Sequence, residues 1–142
     1  VEVGTDTHIT LGVGHDYLSE PVELDVTVLK KGEVVNAIAI GRDDNYTVFG
    51  HCVTVHVKNT NIDIIVADTH LSFRGKLQFD HAGIADWKDY EVVVVKQRYI
   101  FPELKAGAAF YVMSLTDGPT PQNTKLIPLK MVMRPMFPLD NI

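Results

Sequence analysis

Six histidines make metal binding the first chemistry to consider for this sequence. The segment Asp68-Thr69-His70 would place a carboxylate and an imidazole on the same face of a strand, and both groups are zinc ligands. His51 and His56 are five residues apart, so one regular strand would send them to opposite faces. No His-Glu-x-x-His or Cys-x-x-Cys sequence occurs. We therefore expect surface or capping histidines and no zinc bound by this chain.

Nucleophilic catalysis and phosphate binding find equally little support. Cys52, the only cysteine, lies inside a predicted strand, where a lone cysteine is most often part of the core. No Gly-x-Ser-x-Gly sequence is present. The segment Gly12-Val13-Gly14-His15-Asp16 matches neither phosphate-binding fingerprint and precedes no helix, so we interpret it as a tight turn. Because loops often carry functional residues, a binding role for this turn is the alternative.

The most informative stretch is residues 96–103, Lys-Gln-Arg-Tyr-Ile-Phe-Pro-Glu, which follows a run of four valines. A buried strand would here deliver a lysine and several polar and aromatic groups into a loop before a helix. Ligands of open α/β sheets tend to bind at such strand ends. The alternative interpretation is that Lys96 extends to solvent and Phe101 belongs to the core.

The elements that would position these residues begin as a β-meander. Strict alternation of apolar and polar residues predicts half-buried strands, and clusters of Gly, Asn and Asp predict the turns between them. The sequence predicts strands at Val22–Val28 and Val34–Ile40, joined by a turn at Lys30–Glu33. A polar break at Gly41–Asn45 follows, and Tyr46–Val57 is long enough for one bent strand or two short ones. A hairpin through Asn59–Asn61 then leads into a strand at Ile62–Val66.

The second half of the chain combines helical and strand-like patterns. Helical spacing of apolar residues predicts a helix from Ser72 to His81 that ends near Gly83, and Pro102 suits the first turn of another helix through Lys105. The β-branched run at Tyr90–Val95 predicts a central strand covered on both faces. A further strand is expected over Ala108–Leu115.

Together these patterns predict an α+β fold, with a mainly antiparallel or mixed sheet and two short helices. Five of the seven prolines lie from Pro119 onward, so the tail is expected to be an extended Pro-rich C-terminal arm. The 142 residues, 15.8 kDa in mass, are expected to form a single domain, residues 1–142.

Composition excludes several classes of protein. The net charge is −5 and no basic run occurs, so nucleic acid is not an expected partner. No stretch approaches the roughly 20 apolar residues that span a bilayer, so no membrane is expected either. A single cysteine gives no disulfide framework, which favours a reducing cytoplasm. The chain starts at Val1 without Met or a signal segment, and we expect a longer parent.

A resemblance to a known family organises these features. It is carried by Val92-Val93-Val94-Val95-Lys96, Phe101-Pro102-Glu103-Leu104, Leu115-Thr116-Asp117-Gly118 and Arg134-Pro135-Met136-Phe137-Pro138-Leu139-Asp140, with Leu11-Gly12, Asp16, Leu18 and Pro21-Val22-Glu23-Leu24 upstream. Their order and spacing resemble the C-terminal domain of the MlrC family, the microcystin-degrading metallopeptidases called microcystinase C. The likeness extends over most of the chain.

The resemblance implies a non-catalytic module of a zinc-dependent peptidase or amidohydrolase-like enzyme. Its partner would be an N-terminal domain that holds the zinc and the catalytic groups, so this chain would have no cofactor and no hydrolytic activity of its own. The substrate would be a peptide or amide-like small molecule. The residues expected to contact substrate or the neighbouring domain are Asp16, Lys96, Tyr99, Glu103 and Asp117.

Within this set, Lys96 would present a cation to a carboxylate and Asp16 the opposite charge from a neighbouring turn. The alternative is a stand-alone binding or oligomerisation module, for which the exposed strands and the Pro-rich arm would supply the contacts. The oligomeric state is left open by the sequence.

Overall fold

The computed structural model describes residues 1–13, 20–37, 45–97, 99–114, 123, 125 and 127–141. Its sheet is a four-stranded antiparallel meander whose strands lie in sequence order. The strands are β1 (Asp6–Leu11), β2 (Val22–Ala37), β3 (Tyr46–Val57) and β4 (Ile62–Ala67), and the helices are α1 (Lys76–His81), α2 (Pro102–Gly107) and a single 3-10 turn at Trp87–Asp89. The predicted α+β class, with a mainly antiparallel sheet and two short helices, is confirmed.

The hairpin between β3 and β4 follows the sequence pattern. Tyr46–Val57 forms one strand, and Val57 pairs with Ile62 at the closed end of the hairpin. Asn59 has a φ of 61°, in the left-handed region that asparagine tolerates better than most residues. The Thr60 hydroxyl donates to the Val57 carbonyl over 2.8 Å, which fixes the turn.

The turn predicted at Lys30–Glu33 is wrong, because β2 runs through it as a single strand of 16 residues. Gly32 is opposite Cys52 in the ladder, and a Cβ at Gly32 would collide with the carbonyl of His81. The glycine thus allows the end of α1 to approach the sheet. Register irregularities on either side, between Val28 and Lys30 and between Val34 and Val35, bend the strand around this contact.

The core uses both faces of the sheet. On one face, Val26 and Val28 of β2 pack with Val55 and Val57 of β3, as the alternation predicts. On the other face, the apolar cluster consists of Val34, Cys52 and Ala82, so the end of α1 covers this part of the sheet. The buried Thr54 hydroxyl donates to the carbonyl of Ala82 over 2.6 Å, which gives that polar side chain a partner inside the core.

Helix α1 begins four residues later than predicted but ends where the sequence indicates. The backbone N–H of Ile84 donates to Phe79 and that of Gly83 to Asp80, with Gly83 at a φ of 87°. This is the Schellman pattern that glycine commonly provides after a helix. At the other end, the N–H of Gly75 donates to the Gln78 side chain over 3.2 Å, and Gly75 itself is extended.

Helix α2 packs beside α1 on a third apolar cluster, which consists of Phe79, Ile84, Trp87 and Leu104. It extends to Gly107, two residues beyond the predicted end, and its first turn contains Pro102 and Glu103 as expected. A Cβ at Gly107 would collide with the Trp87 ring, so the glycine allows α2 to end against the indole.

The central strand predicted at Tyr90–Val95 is wrong. This segment belongs to no helix and no sheet, and Val92 and Val94 are 77% and 90% exposed. Only Tyr90 and Val95 pack on the third cluster. The valine run was expected to lie between two covering layers, yet the described part of the chain supplies no strand beside it and no layer outside it.

The strand predicted at Ala108–Leu115 is also absent as far as the structure describes it, through Ser114. Phe110 and Val112 are 82% and 73% exposed. Lys105 attaches the segment to α2, because its Nζ lies 5.1 Å from the centroid of the Tyr111 ring.

The extended Pro-rich arm is not confirmed. Asp140 instead closes a local turn, accepting from the Met136 N–H over 2.7 Å and from Arg134, while its own N–H donates to Met136. Within the ranges given above, no helix has the length and apolar character needed to cross a bilayer. The predictions at Gly14–Asp16, Ile38–Asp44 and Leu115–Pro119 lie outside the described residues.

Candidate functional site

The residues predicted for the site are placed differently by the fold. Asp16 and Asp117 lie outside the described residues. Lys96 is exposed, and it forms no salt bridge with another described residue. Tyr99 is exposed as well. Glu103 is exposed too but has a structural contact, so Lys96 and Tyr99 are the described members of the predicted set without one.

Glu103 joins the two helices. Its Oε1 accepts from the backbone N–H of Lys76 over 2.7 Å, at the first turn of α1. Its carboxylate also lies against Gly75, where a Cβ would collide with it. A carboxylate near the first turn satisfies a backbone donor that the helix leaves open and is favoured by the helix dipole. Glu103 is therefore a capping residue for α1.

The loop that contains Lys96 and Tyr99 packs on the segment before α1 through Phe101. The guanidinium carbon of Arg74 lies 4.7 Å from the centroid of the Phe101 ring, within range of a cation–π contact. Arg74 Nη1 donates to Asn36 Oδ1 over 3.4 Å, and its Nε is buried without a hydrogen-bond partner. The carbonyl oxygen of the Gln97 side chain is likewise buried and unpartnered. Two buried polar atoms, Arg74 Nε and Gln97 Oε1, thus lack a hydrogen-bond partner among the described residues.

A second group of polar side chains covers the free part of the sheet face opposite the Val26 cluster. His8 of β1 lies between two carboxylates of β2, with its Nδ1 2.8 Å from Asp25 and its Nε2 in contact with Glu23. An ionised carboxylate can only accept a hydrogen bond, so both contacts are hydrogen bonds only when both ring nitrogens donate, which is the protonated form of the imidazole. The hydrogen bond to Asp25, and then the one to Glu23, raise the pKa of His8 above its ordinary value.

The same hydrogen bond to His8, with a smaller contribution from Thr10, lowers the pKa of Glu23. These groups are largely exposed, and exposed ion pairs contribute little to stability. Asp6 accepts from Thr27 over 2.7 Å and from Lys58, and these hydrogen bonds lower its pKa. This face is a network of compensated charges.

Asp63 connects that face to the valine segment. Its Oδ1 lies 2.7 Å from His56 Nδ1 and its Oδ2 accepts from the Tyr90 hydroxyl over 2.5 Å. Burial, and then the hydrogen bond to Asp63, raise the pKa of Tyr90 to about 12. Because the carboxylate requires Nδ1 of His56 to donate, Nε2 is the nitrogen that can accept a proton or bind a ligand.

The residues considered for metal binding do not assemble a site. In the described ranges, no three His, Cys, Asp or Glu side chains converge as a metal site requires. Asp68 and His70 follow β4 rather than lie on it, and Asp68 accepts instead from the backbone N–H of His51 over 2.8 Å. Cys52 is buried, and burial raises the pKa of its thiol, which disfavours the reactive thiolate. The described residues therefore do not fit a zinc ion.

Arg74, His56 and Asp63 were not among the predicted site residues. The pairing of His56 with Asp63 follows from the hairpin register, in which the two residues are directly opposite. That pairing was available from the sequence once the turn at Asn59–Asn61 was placed. Arg74 carries no local signal, because its partners Asn36 and Phe101 are far away in the chain.

The family model described as MlrC C-terminus matches residues 1–131. The chain therefore belongs to this family, and the resemblance carried by the valine, Phe-Pro-Glu-Leu and Thr-Asp-Gly segments is confirmed. No curated protein and no solved structure matches the chain significantly.

Proposed function

We propose that this domain is the non-catalytic C-terminal module of an MlrC-like zinc hydrolase, and that it packs on the metal-bearing domain and forms one wall of the substrate cleft. The observation that supports this proposal is the pair of segments without regular secondary structure at residues 91–97 and 108–114. Both leave consecutive apolar side chains in water, whereas a soluble protein normally exposes such residues singly. The exposed apolar residues are Val92, Val93, Val94, Phe110, Tyr111, Val112 and Met113.

The backbone of these segments supports the same interpretation. Among the described residues, no backbone hydrogen bond joins residues 91–97 or 109–114 to another segment. Extended β-branched runs of this kind occur in strands that are paired on both sides and covered on both faces. A neighbouring domain with an open sheet edge would pair these groups, and each fully buried valine would contribute about 1.5–3 kcal/mol.

Lys96 has a defined place in this arrangement. It follows the exposed valines and is itself exposed, so it lies at the end of the proposed contact. A lysine there would meet a carboxylate of the substrate or of the partner domain, and a charge-assisted hydrogen bond of that kind is directional and strong. Tyr99, three residues later and also exposed, would line the same end.

The chemistry of hydrolysis would come from the partner domain. In this proposal the zinc is held there, as the resemblance to the MlrC family implies. The ligand of the assembled cleft would be a peptide or amide-like small molecule, and the compartment a reducing cytoplasm.

The test is the association of the chain with the metal-bearing domain, measured by isothermal titration calorimetry. Val94→Asp should weaken binding at least about tenfold, because a charge would then be buried against apolar groups. The same variant should fold normally, since Val94 is exposed in this chain. Val3→Asp, at an exposed valine outside the two segments, is the matched control and should bind as the wild type does.

Equal affinities of the wild type and Val94→Asp would contradict the proposal. So would self-association of the chain through these segments without binding to the metal-bearing domain, which is the outcome that the stand-alone oligomerisation module predicts.

A further inference from the structure

Arg74 is the charged side chain whose bonding the described fold leaves incomplete. With the described residues it forms one hydrogen bond, to Asn36 over 3.4 Å, which is long for an N–H···O contact. Its Nε–H is buried without a partner. A guanidinium has five N–H donors arranged as a rigid fork, so most of this fork is unused by the described part of the chain.

The other arginine that the structure describes behaves differently. Arg134 Nη1 donates to Asp140 over 2.5 Å in an ordinary ion pair. Glu103, which follows Phe101 by two residues, is already bonded to the backbone of Lys76 and forms no ion pair with Arg74. No carboxylate among the described residues therefore neutralises this guanidinium.

The side chain is nevertheless held in place. Phe101 supports the guanidinium at 4.7 Å, and Asn36 fixes one end of the fork from β2. A fork held in this way loses little conformational freedom when it binds a planar anion. Buried polar groups in folded proteins nearly always have a partner, so a buried Nε–H in a preorganised fork indicates a partner from outside this part of the chain.

We propose that Arg74 is a carboxylate-binding site, in which the covering side chains move aside so that Nε–H and an adjacent Nη–H grip the two oxygens while Phe101 supports the guanidinium. The site itself does not depend on the proposed function. The source of the carboxylate does rest on it, because the ligand could be an acidic side chain of the metal-bearing domain or a carboxylate of the substrate.

The direct test is the Nε–H resonance of Arg74 in a ¹⁵N NMR spectrum of the chain, titrated with sodium acetate. Acetate should shift this resonance saturably, while sodium chloride at equal ionic strength should not. The Nε–H resonance of Arg134 is the internal control and should respond equally to both salts. The proposal is overturned if acetate and chloride have the same effect on Arg74.

Variants separate the fork from the charge alone. Arg74→Lys keeps the charge but loses the bidentate geometry, and it should weaken acetate binding at least about tenfold. Phe101→Leu should weaken it less, because only the supporting ring is removed. Acetate binding to Arg74→Lys with wild-type affinity, followed on backbone amides near residue 74, would overturn the bidentate site.

The two sources are distinguished in the longer protein that contains the metal-bearing domain. If a partner carboxylate occupies the site, the Arg74 resonance should already be shifted and should ignore acetate. If a substrate carboxylate occupies it, acetate should still bind and should compete with substrate. Failure of the two domains to associate would refute the proposed function but would leave the acetate titration of this chain unaffected.

Discussion

Asp63 is the residue that connects the polar face of the sheet with the valine segment, through His56 and Tyr90. Burial and the bond to Asp63 raise the pKa of Tyr90 from 10.0 to about 12. Because the pKa of Tyr90 is higher in the folded state, the stability that its protonated hydroxyl contributes is complete below pH 10 and is lost as the pH rises towards 12. Stability should therefore fall across that window.

Tyr90→Phe removes this hydroxyl and therefore the loss of stability that its ionisation causes. The unfolding midpoint of the variant in urea should depend less on pH between 10 and 12 than that of the wild type. Tyr99→Phe, at an exposed tyrosine, is the control and should follow the wild type. Parallel pH profiles for the wild type and Tyr90→Phe would contradict the role assigned to the Tyr90 hydroxyl.

Lys96 is a second single residue whose role can be tested, and its contribution to catalytic efficiency can be measured only in the longer protein. Lys96→Ala should reduce kcat/KM about tenfold or more, because a charge-assisted hydrogen bond contributes about 1.5–3 kcal/mol. The melting temperature should change by no more than a few degrees, as Lys96 is exposed in this chain. Lys31→Ala, on the exposed side of β2, is the matched control. Unchanged kinetics for Lys96→Ala would make Lys96 an ordinary surface residue.

At the scale of elements, residues with a strong local backbone preference correctly predicted where a turn or a helix end lies. The hairpin at Asn59–Asn61 and the end of α1 at Gly83 follow from residues that adopt left-handed backbone geometry. The prediction of a turn at Lys30–Glu33 was wrong because Gly32 allows His81 to approach the strand closely, and that is a tertiary contact. A glycine flanked by charged residues, as in Lys31-Gly32-Glu33, has the same sequence signature in a turn and at a close approach.

Gly32→Ala tests this explanation. The added Cβ would collide with the His81 carbonyl, so the end of α1 would have to move away from β2. The free energy of unfolding should fall by about 1–3 kcal/mol, as overpacking of a core contact usually costs. The adjacent Lys31→Ala should change it by no more than about 0.5 kcal/mol. Urea denaturation of both variants measures the difference, and a Gly32→Ala variant as stable as Lys31→Ala would refute the close approach.

The valine run gives a different lesson about elements. Four consecutive β-branched residues indicate that a segment will be buried in a sheet, but they do not indicate which chain or domain supplies the sheet. The prediction of a central strand at Tyr90–Val95 was therefore wrong, because no described segment pairs with these residues. Arg74 was missed for a related reason, since only the packing of Phe101 and Asn36 around it reveals an unused fork.

At the scale of the whole molecule, the buried clusters of the sheet and α1 are followed by two segments that leave consecutive apolar side chains exposed. The four-stranded sheet and α1 bury two apolar clusters, whereas residues 91–97 and 108–114 expose theirs. The chain belongs to the MlrC C-terminus family, and a partner domain that covers these segments is our proposal. Arg74 contacts Phe101, and Lys96 directly follows the valine run, so both belong to the same region as the exposed segments. Polar groups at the edge of an apolar contact are usual in interfaces.

Amide hydrogen exchange of residues 91–97 and 108–114 tests the central claim most directly, measured by mass spectrometry in this chain and in the longer protein with the metal-bearing domain. In the chain alone, the amides of residues 91–97 and 109–114 lack backbone partners among the described residues, so they should exchange at nearly the unprotected rate. In the longer protein they should be protected at least about a hundredfold, while β3 should exchange slowly in both. Equally fast exchange of the two segments in both proteins would contradict the account.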